Sequence, residues 1–246
     1  AISPDGPLHL LPFAGLQDAA GKFLVERHAV VYAPSGSIFK YCLGLDRGNA
    51  DSRSRSILLM DGTANLPAAR SEINDLVRLY GDNARLVDHR NLPSAPPLAE
   101  SSEILHFSGH SEVIRGKPHL IFQSSPTKIY LDSTEISTWK LRRNRLVYLA
   151  GCSTGIGPQS EGETPWGLVP AFLNAGAPAL VVSLMPVDDA STRILTQSFF
   201  ERLAGAARSK AKALQEAQLS QLQRARSNGR INPLSWSPYV LIGDPR

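Results

Sequence analysis

"LVYLAGCSTG", Leu146 to Gly155, is the stretch from which the fold can be read. An apolar, strand-forming run, Leu146 to Ala150, gives way at once to Gly-Cys-Ser-Thr-Gly. Continuous apolar runs are what strands covered on both faces require, and sheets covered on both faces are mostly parallel. In open α/β sheets, sites form beyond the carboxyl ends of the strands. The stretch therefore reads as a central strand that delivers Cys152 to a sheet edge.

Upstream, "ILLM" (Ile57 to Met60) is a short apolar strand. "LPAARSEINDLVRLYG" then places Ile73, Leu76, Val77 and Tyr80 at helical spacing, with Gly81 as a stop. "ARLV", a Pro-rich loop and "EILHFSGH" follow, and "HLIFQ" with "KIYLD" reads as a β-hairpin or extended excursion. Downstream, "TPWGLVPAFLNAGA" reads as a helix with Pro165 early and Gly176 late. "PALVVSLMPV" is a strand. "DDASTRILTQSFFERLAG" is a helix with acidic residues in its first turn, turning Ile194, Leu195, Phe199 and Leu203 inward. "KAKALQEAQLSQLQRAR" is a second helix and "PYVLIGD" a last strand. The segment before residue 50 carries strand-like runs, "LHLLPF", "KFLVE" and "AVVYAPS", and "GNADSRSRS" reads as a linker. Alternating strands and helices predict an α/β fold with a mainly parallel central sheet and helices on both faces.

The chain has 246 residues, 42% of them apolar and 20% charged, enough for one large or two small soluble domains with a real core. No stretch approaches the ~18 apolar residues of a membrane span. The first residues, "AISPDGPLHLLPF", do not form a signal peptide, and without an initiator Met they read as the start of a fragment or processed form. Two cysteines, Cys42 and Cys152, make no disulfide framework and no zinc-finger spacing, so a reducing cytoplasm is the expected setting. The net charge is +4. Much of the excess falls on Arg202, Arg208, Lys210, Lys212, Arg224, Arg226 and Arg230. A solvated helix face explains these, and without an RNA-binding aromatic motif or a helix-turn-helix pattern a nucleic-acid partner is disfavoured. No Gly-rich Lys-Ser/Thr loop for nucleotide phosphates is present.

The strand-end rule selects "FSGHS", "GCSTG" and "MPVDD". His110 and Cys152 are each preceded by Gly at the end of a strand-like run, so two adjacent parallel strands would bring them to one edge. A thiol needs a base or a cationic neighbour to present a thiolate near neutral pH. An imidazole supplies this and can later protonate the leaving amine. The backbone N–H groups of Ser111 and Cys152 are candidates for holding an oxyanion. Either residue alone is more simply a structural one; the pairing raises the catalytic reading.

At these residues the sequence resembles the CHAT-domain cysteine peptidases, relatives of caspases and separase. "ILHFSGHS" is similar to the family's His segment, and "LVYLAGCSTG" to its Cys segment. "GLVPAFLNAGAPALVVSLMPVDD", "WSPYVLIGD" and the opening "PLHLLPFAGL…VVYAPS" also resemble the family, so the likeness covers nearly the whole chain. His before Cys is the caspase-like order. The departures are Ser111 where Gly is common after the His, Gly151 rather than Ala before the Cys, Ser153 after it, and Met185 where Trp is usual. The resemblance implies a caspase-like three-layer sandwich, with an N-terminal strand-rich segment over residues 1–49 and a peptidase domain over 50–246. It implies a cysteine endopeptidase with a His110–Cys152 dyad, no metal or organic cofactor, and a protein or peptide substrate. Activity would be gated by an activating partner or an attached helical-repeat region. The loop after "LVVSL" would line the substrate pocket, which makes Asp188, Asp189 and Met185 candidates, with Glu161 and Glu163 in the loop after Cys152. A carboxylate there would select Arg or Lys; alternatively, Asp188 and Asp189 cap the next helix. The competing reading of the whole chain is a non-catalytic pseudo-peptidase that serves as a docking module.

Overall fold

The computed structural model describes residues 1–45, 55–63, 66–123, 128–151, 154–157, 166–205 and 209–246. The run at Leu146–Ala150 is strand β7, with every residue buried. It lies between β4 (Ile104–Ile114) and β8 (Ala179–Ser183), parallel to both. Outward from β4 come β2 (Ile57–Gly62) and β3 (Ala84–Val87), both parallel. Outward from β8 come β9 (Tyr239–Gly243), antiparallel, and the edge strand β1 (Val31–Tyr32). Strands β5 (Lys117–Gln123) and β6 (Lys128–Asp132) form the predicted hairpin, paired antiparallel to the far half of β4.

Alternation along these strands splits the core into two layers. Leu58, Leu105, Phe107, Val147, Leu149 and Val182 face one side. They meet α3 (Ala95–Ser101), α4 (Ser133–Ser137) and α5 (Val169–Asn174) through Ala99, Ile136 and Phe172. Leu59, Ile104, Leu146, Tyr148 and Val181 face the other. They meet α2 (Pro67–Tyr80), α6 (Asp189–Ala204) and α7 (Lys210–Ser227) through Ile73, Leu76, Leu195, Phe199, Phe200 and Leu214. A further helix, α1 (Gly36–Gly44), buries Cys42. This is the expected α/β three-layer sandwich. No helix among the described residues is long and apolar enough to cross a membrane.

Three local expectations change. Residues 1–45 hold 3-10 turns at Gly6–Leu10, Phe13–Gly15 and Leu24–Glu26, with only the short β1 as strand. Pro7 opens the first turn and Pro12 precedes the second, and proline cannot donate to a ladder. Helix α5 is shorter than its pattern, because Pro170 lies at its start and Gly176, at φ 100°, follows its end. In α6, Ile194 is 41% exposed and Phe200 takes the inward place.

Candidate active site

Strand β4 does not stop at His110. Its first half pairs in parallel with β2 and β7, while from His110 onward it pairs antiparallel with β5, His110 opposite Ile121 and Ser111 opposite Leu120. The change of partner occurs at a row of glycines. Gly62 and Gly109 are register partners on β2 and β4, and Gly151 follows β7. A Cβ on Gly109 would lie 2.8 Å from the Gly62 carbonyl oxygen, and one on Gly151 would lie 2.7 Å from the Gly109 oxygen. These positions need glycine so that three backbones can approach where the strands part, rather than to turn sharply.

His110 is half-buried in a small groove of about 50 Å³. Gly109, Ala150 and Gly151 line it from the sheet, Leu66 and Ala69 from the start of α2, and Val187, Asp189 and Thr192 from the start of α6. Ser111 instead lines a second groove of about 110 Å³ with Glu112, Val113, Pro118, Thr154, Ile156 and Leu168. Adjacent residues on a strand face opposite sides, so His110 and Ser111 serve the two grooves in turn.

Cys152, Ser153, Glu161 and Glu163 lie outside the described residues. The chain on either side of Cys152 is well anchored. Ala150 pairs with Ser108, and Thr154, buried at 1% exposure, accepts the Ser183 N–H at its Oγ1 (3.1 Å). The Gly155 N–H donates to the Ser183 oxygen (2.9 Å), and Leu168 N–H to the Thr154 oxygen (3.3 Å). The other cysteine, Cys42, is fully buried, and burial followed by the Asp244 charge pushes its thiol up to about 11, the profile of an inert structural thiol.

The acidic pair divides. Asp188 is exposed and caps α6, accepting the Ser191 N–H (2.8 Å). Asp189 is half-buried and reaches across to α2, where Oδ2 accepts from Ala68 N–H and Oδ1 from Ala69 N–H, each at 3.0 Å. A carboxylate at a helix N-terminus is favoured by the orphan amides and the dipole. Met185 is half-buried against the α5-side core and is not among the residues lining either groove.

Sequence reading missed three contributors: Thr154, the first turn of α2, and a pair beneath the groove. In that pair, His106 Nε2 lies 2.9 Å from Glu72 Oε1, with both side chains buried between β4 and α2. Glu72 falls on the apolar stripe of α2, and a charged residue on such a stripe was the available signal. Among the described residues no group of three or more His, Cys, Asp or Glu could hold a metal ion.

The CHAT domain family matches residues 1–244. Saccharomyces cerevisiae separase, in its complex with securin, has a similar structure, with TM-score 0.66 and 17% identity over 96% of this chain and 15% of that one. Gingipain R, an Arg-specific cysteine proteinase, aligns with TM-score 0.52 and 11% identity over 79% of this chain and 47% of that one. The chain thus spans a small part of separase and about half of gingipain R. No curated protein sequence matches it significantly. The separase-like sheet and a family match over almost every residue lead to one conclusion: the chain belongs to the CHAT domain family, on a caspase-like fold shared with cysteine proteases.

Proposed function

We propose that the chain is a cysteine endopeptidase domain whose dyad is His110 and Cys152. The observation that carries this is the β4–β7 register. Ala150 pairs with Ser108, the last pair of the two parallel strands, and Cys152 and His110 each follow their strand's last paired residue by two positions in the sequence, which supports reading them as a pair. His110 takes the thiol proton, and the thiolate attacks the peptide carbonyl carbon. The N–H groups of Ser111 and Cys152 hold the oxyanion of the tetrahedral intermediate. Collapse breaks the C–N bond, and the imidazolium gives its proton to the leaving amine. A water molecule, deprotonated by His110, then hydrolyses the thioester.

The pocket proposal rests on Asp189. Two of its roughly four acceptor sites are taken by α2 amides, which hold the carboxylate in place and leave two for a substrate cation. A substrate with Arg or Lys before the cleaved bond fits that wall, with Asp188, Met185 and Glu161 as outer candidates. Control by a partner protein is consistent with the securin-bound state of separase. The test is a thiol-directed activity probe. Labelling at Cys152 that is lost in His110→Ala supports the dyad. Labelling that is absent in wild type, or indifferent to His110, supports the docking-module reading.

A further inference from the structure

The groove on the Ser111 side of β4 is walled by the chain just after His110 and by the chain that follows β7. On the first wall, Val113 lies two positions beyond Ser111, faces the same side and pairs with Pro118 of β5. The second wall is Thr154, Ile156 and Leu168, and it is pinned. Thr154 Oγ1 accepts the Ser183 N–H and donates to the Leu149 oxygen (3.3 Å), while the Thr154 oxygen accepts the Leu168 N–H. Gly167, at φ 49°, lets the two passages of that wall close up, since a Cβ there would lie 2.6 Å from the Ile156 oxygen and 2.7 Å from the Thr154 oxygen. Among the described residues the lining is apolar at the back, where Leu168 is fully buried. Its one carboxylate, Glu112, is half-exposed and lies 3.8 Å from the half-exposed Lys128, so it belongs to the mouth. The space of about 110 Å³ is smaller than the ~150 Å³ cavity that takes a benzene ring. It suits a branched aliphatic side chain and excludes an indole.

We propose that this groove receives the side chain of the substrate residue that follows the cleaved bond, and that it selects an aliphatic one such as Val or Leu. The proposal rests on the dyad reading above, with Asp189 facing the residue before the bond. Successive side chains of an extended peptide point to opposite sides. The Asp189 groove and the Ser111 groove lie to either side of β4, at the consecutive residues His110 and Ser111. A substrate that sets a cation against Asp189 therefore turns its next side chain toward Val113 and Leu168.

Peptides that share Arg before the cut and carry Leu, Gly, Trp or Lys after it test this. In wild type, kcat/KM for Leu should exceed that for Gly by about tenfold or more, with Trp and Lys also below Leu. Val113→Trp, at a position 46% exposed, fills the mouth and should bring the Leu-to-Gly ratio near one, with a circular-dichroism melt confirming its fold. An unchanged ratio in this folded variant would overturn the groove as the site. A wild-type preference for Trp would do the same, and a preference for Lys would move recognition to Glu112. A wild type that takes the thiol-directed probe at Cys152 but discriminates among none of the peptides overturns the groove's role and leaves the dyad standing. A wild type that neither takes the probe nor cleaves overturns both.

Discussion

Asp189 belongs by sequence to the first turn of α6, yet its two oxygens are bonded to amides of α2 some 120 residues away. Asn caps its own helix about as well as Asp. Across two helices the exchange is not neutral, because an amide offers one acceptor oxygen and one of the two donors loses its partner. Asp189→Asn should therefore cost about 1–3 kcal/mol, read as a lower urea midpoint. Its effect on specificity is separable from that loss. The ratio of kcat/KM for Arg against Leu before the cleaved bond should fall by about a hundredfold if the carboxylate meets a substrate cation. An unchanged ratio, or a wild-type preference for apolar residues, would remove Asp189 from the pocket. Cys152→Ala should abolish turnover and leave the melt intact, while Cys42→Ala should leave turnover nearly unchanged. His110→Ala should lower turnover by about 10²- to 10⁴-fold and slow iodoacetamide alkylation of Cys152 at neutral pH. Equal alkylation rates across the neutral range would show that the two residues do not interact.

Between residue and fold, β4 carries the most consequence. Its apolar first half was legible from the run "EILHF"; its continuation past His110 was not, because a change of partner leaves no periodicity signature. The glycine row at that change is sterically tight. Gly109→Ala would set a methyl group 2.8–2.9 Å from Gly62 backbone atoms, and backbone cannot step aside as a flexible side chain can. The expected cost is about 1–3 kcal/mol, or roughly 2–12 °C in Tm for a chain of this size. A melt unchanged from wild type would mean that the strands are not held that closely. Helix α2 was predicted from its spacing, but Val77, included in its apolar set, is 38% exposed, whereas Glu72 is fully buried. Glu72 Oε2 and His106 Nδ1 have no hydrogen-bond partner among the described residues, so the pair already stands short of full satisfaction. Glu72→Ala strands the imidazole and should cost about 1–3 kcal/mol, whereas replacing both residues by Leu should cost much less. A double variant as unstable as the single one would place the cost in packing rather than in the lost bond.

At the scale of the whole molecule the sheet has two unlike edges: a groove with His110 and Asp189 where the parallel strands end, and a buried Lys210 beside Asp244 where they begin. The Lys210 amine titrates near 8 when folded against an ordinary 10.5. Between those values the unfolded chain binds more protons, so stability should rise as pH is raised from about 8 towards 10.5. Chemical denaturation of wild type and Lys210→Met across that window should show the rise in wild type and its loss in the variant; parallel curves would exclude a depressed Lys210. The sequence alone determined the alternation of apolar runs and helical stripes, hence a mainly parallel sheet covered on both faces, and it singled out the segments that hold His110 and Cys152. Run length and periodicity are local properties, written in consecutive residues. Tertiary structure alone decided which amides Asp189 binds, that β4 runs on into the hairpin, that Lys210 is buried against Asp244, and that Arg226 pairs with Glu26. Each depends on groups that are remote in the chain and become neighbours only when the layers pack.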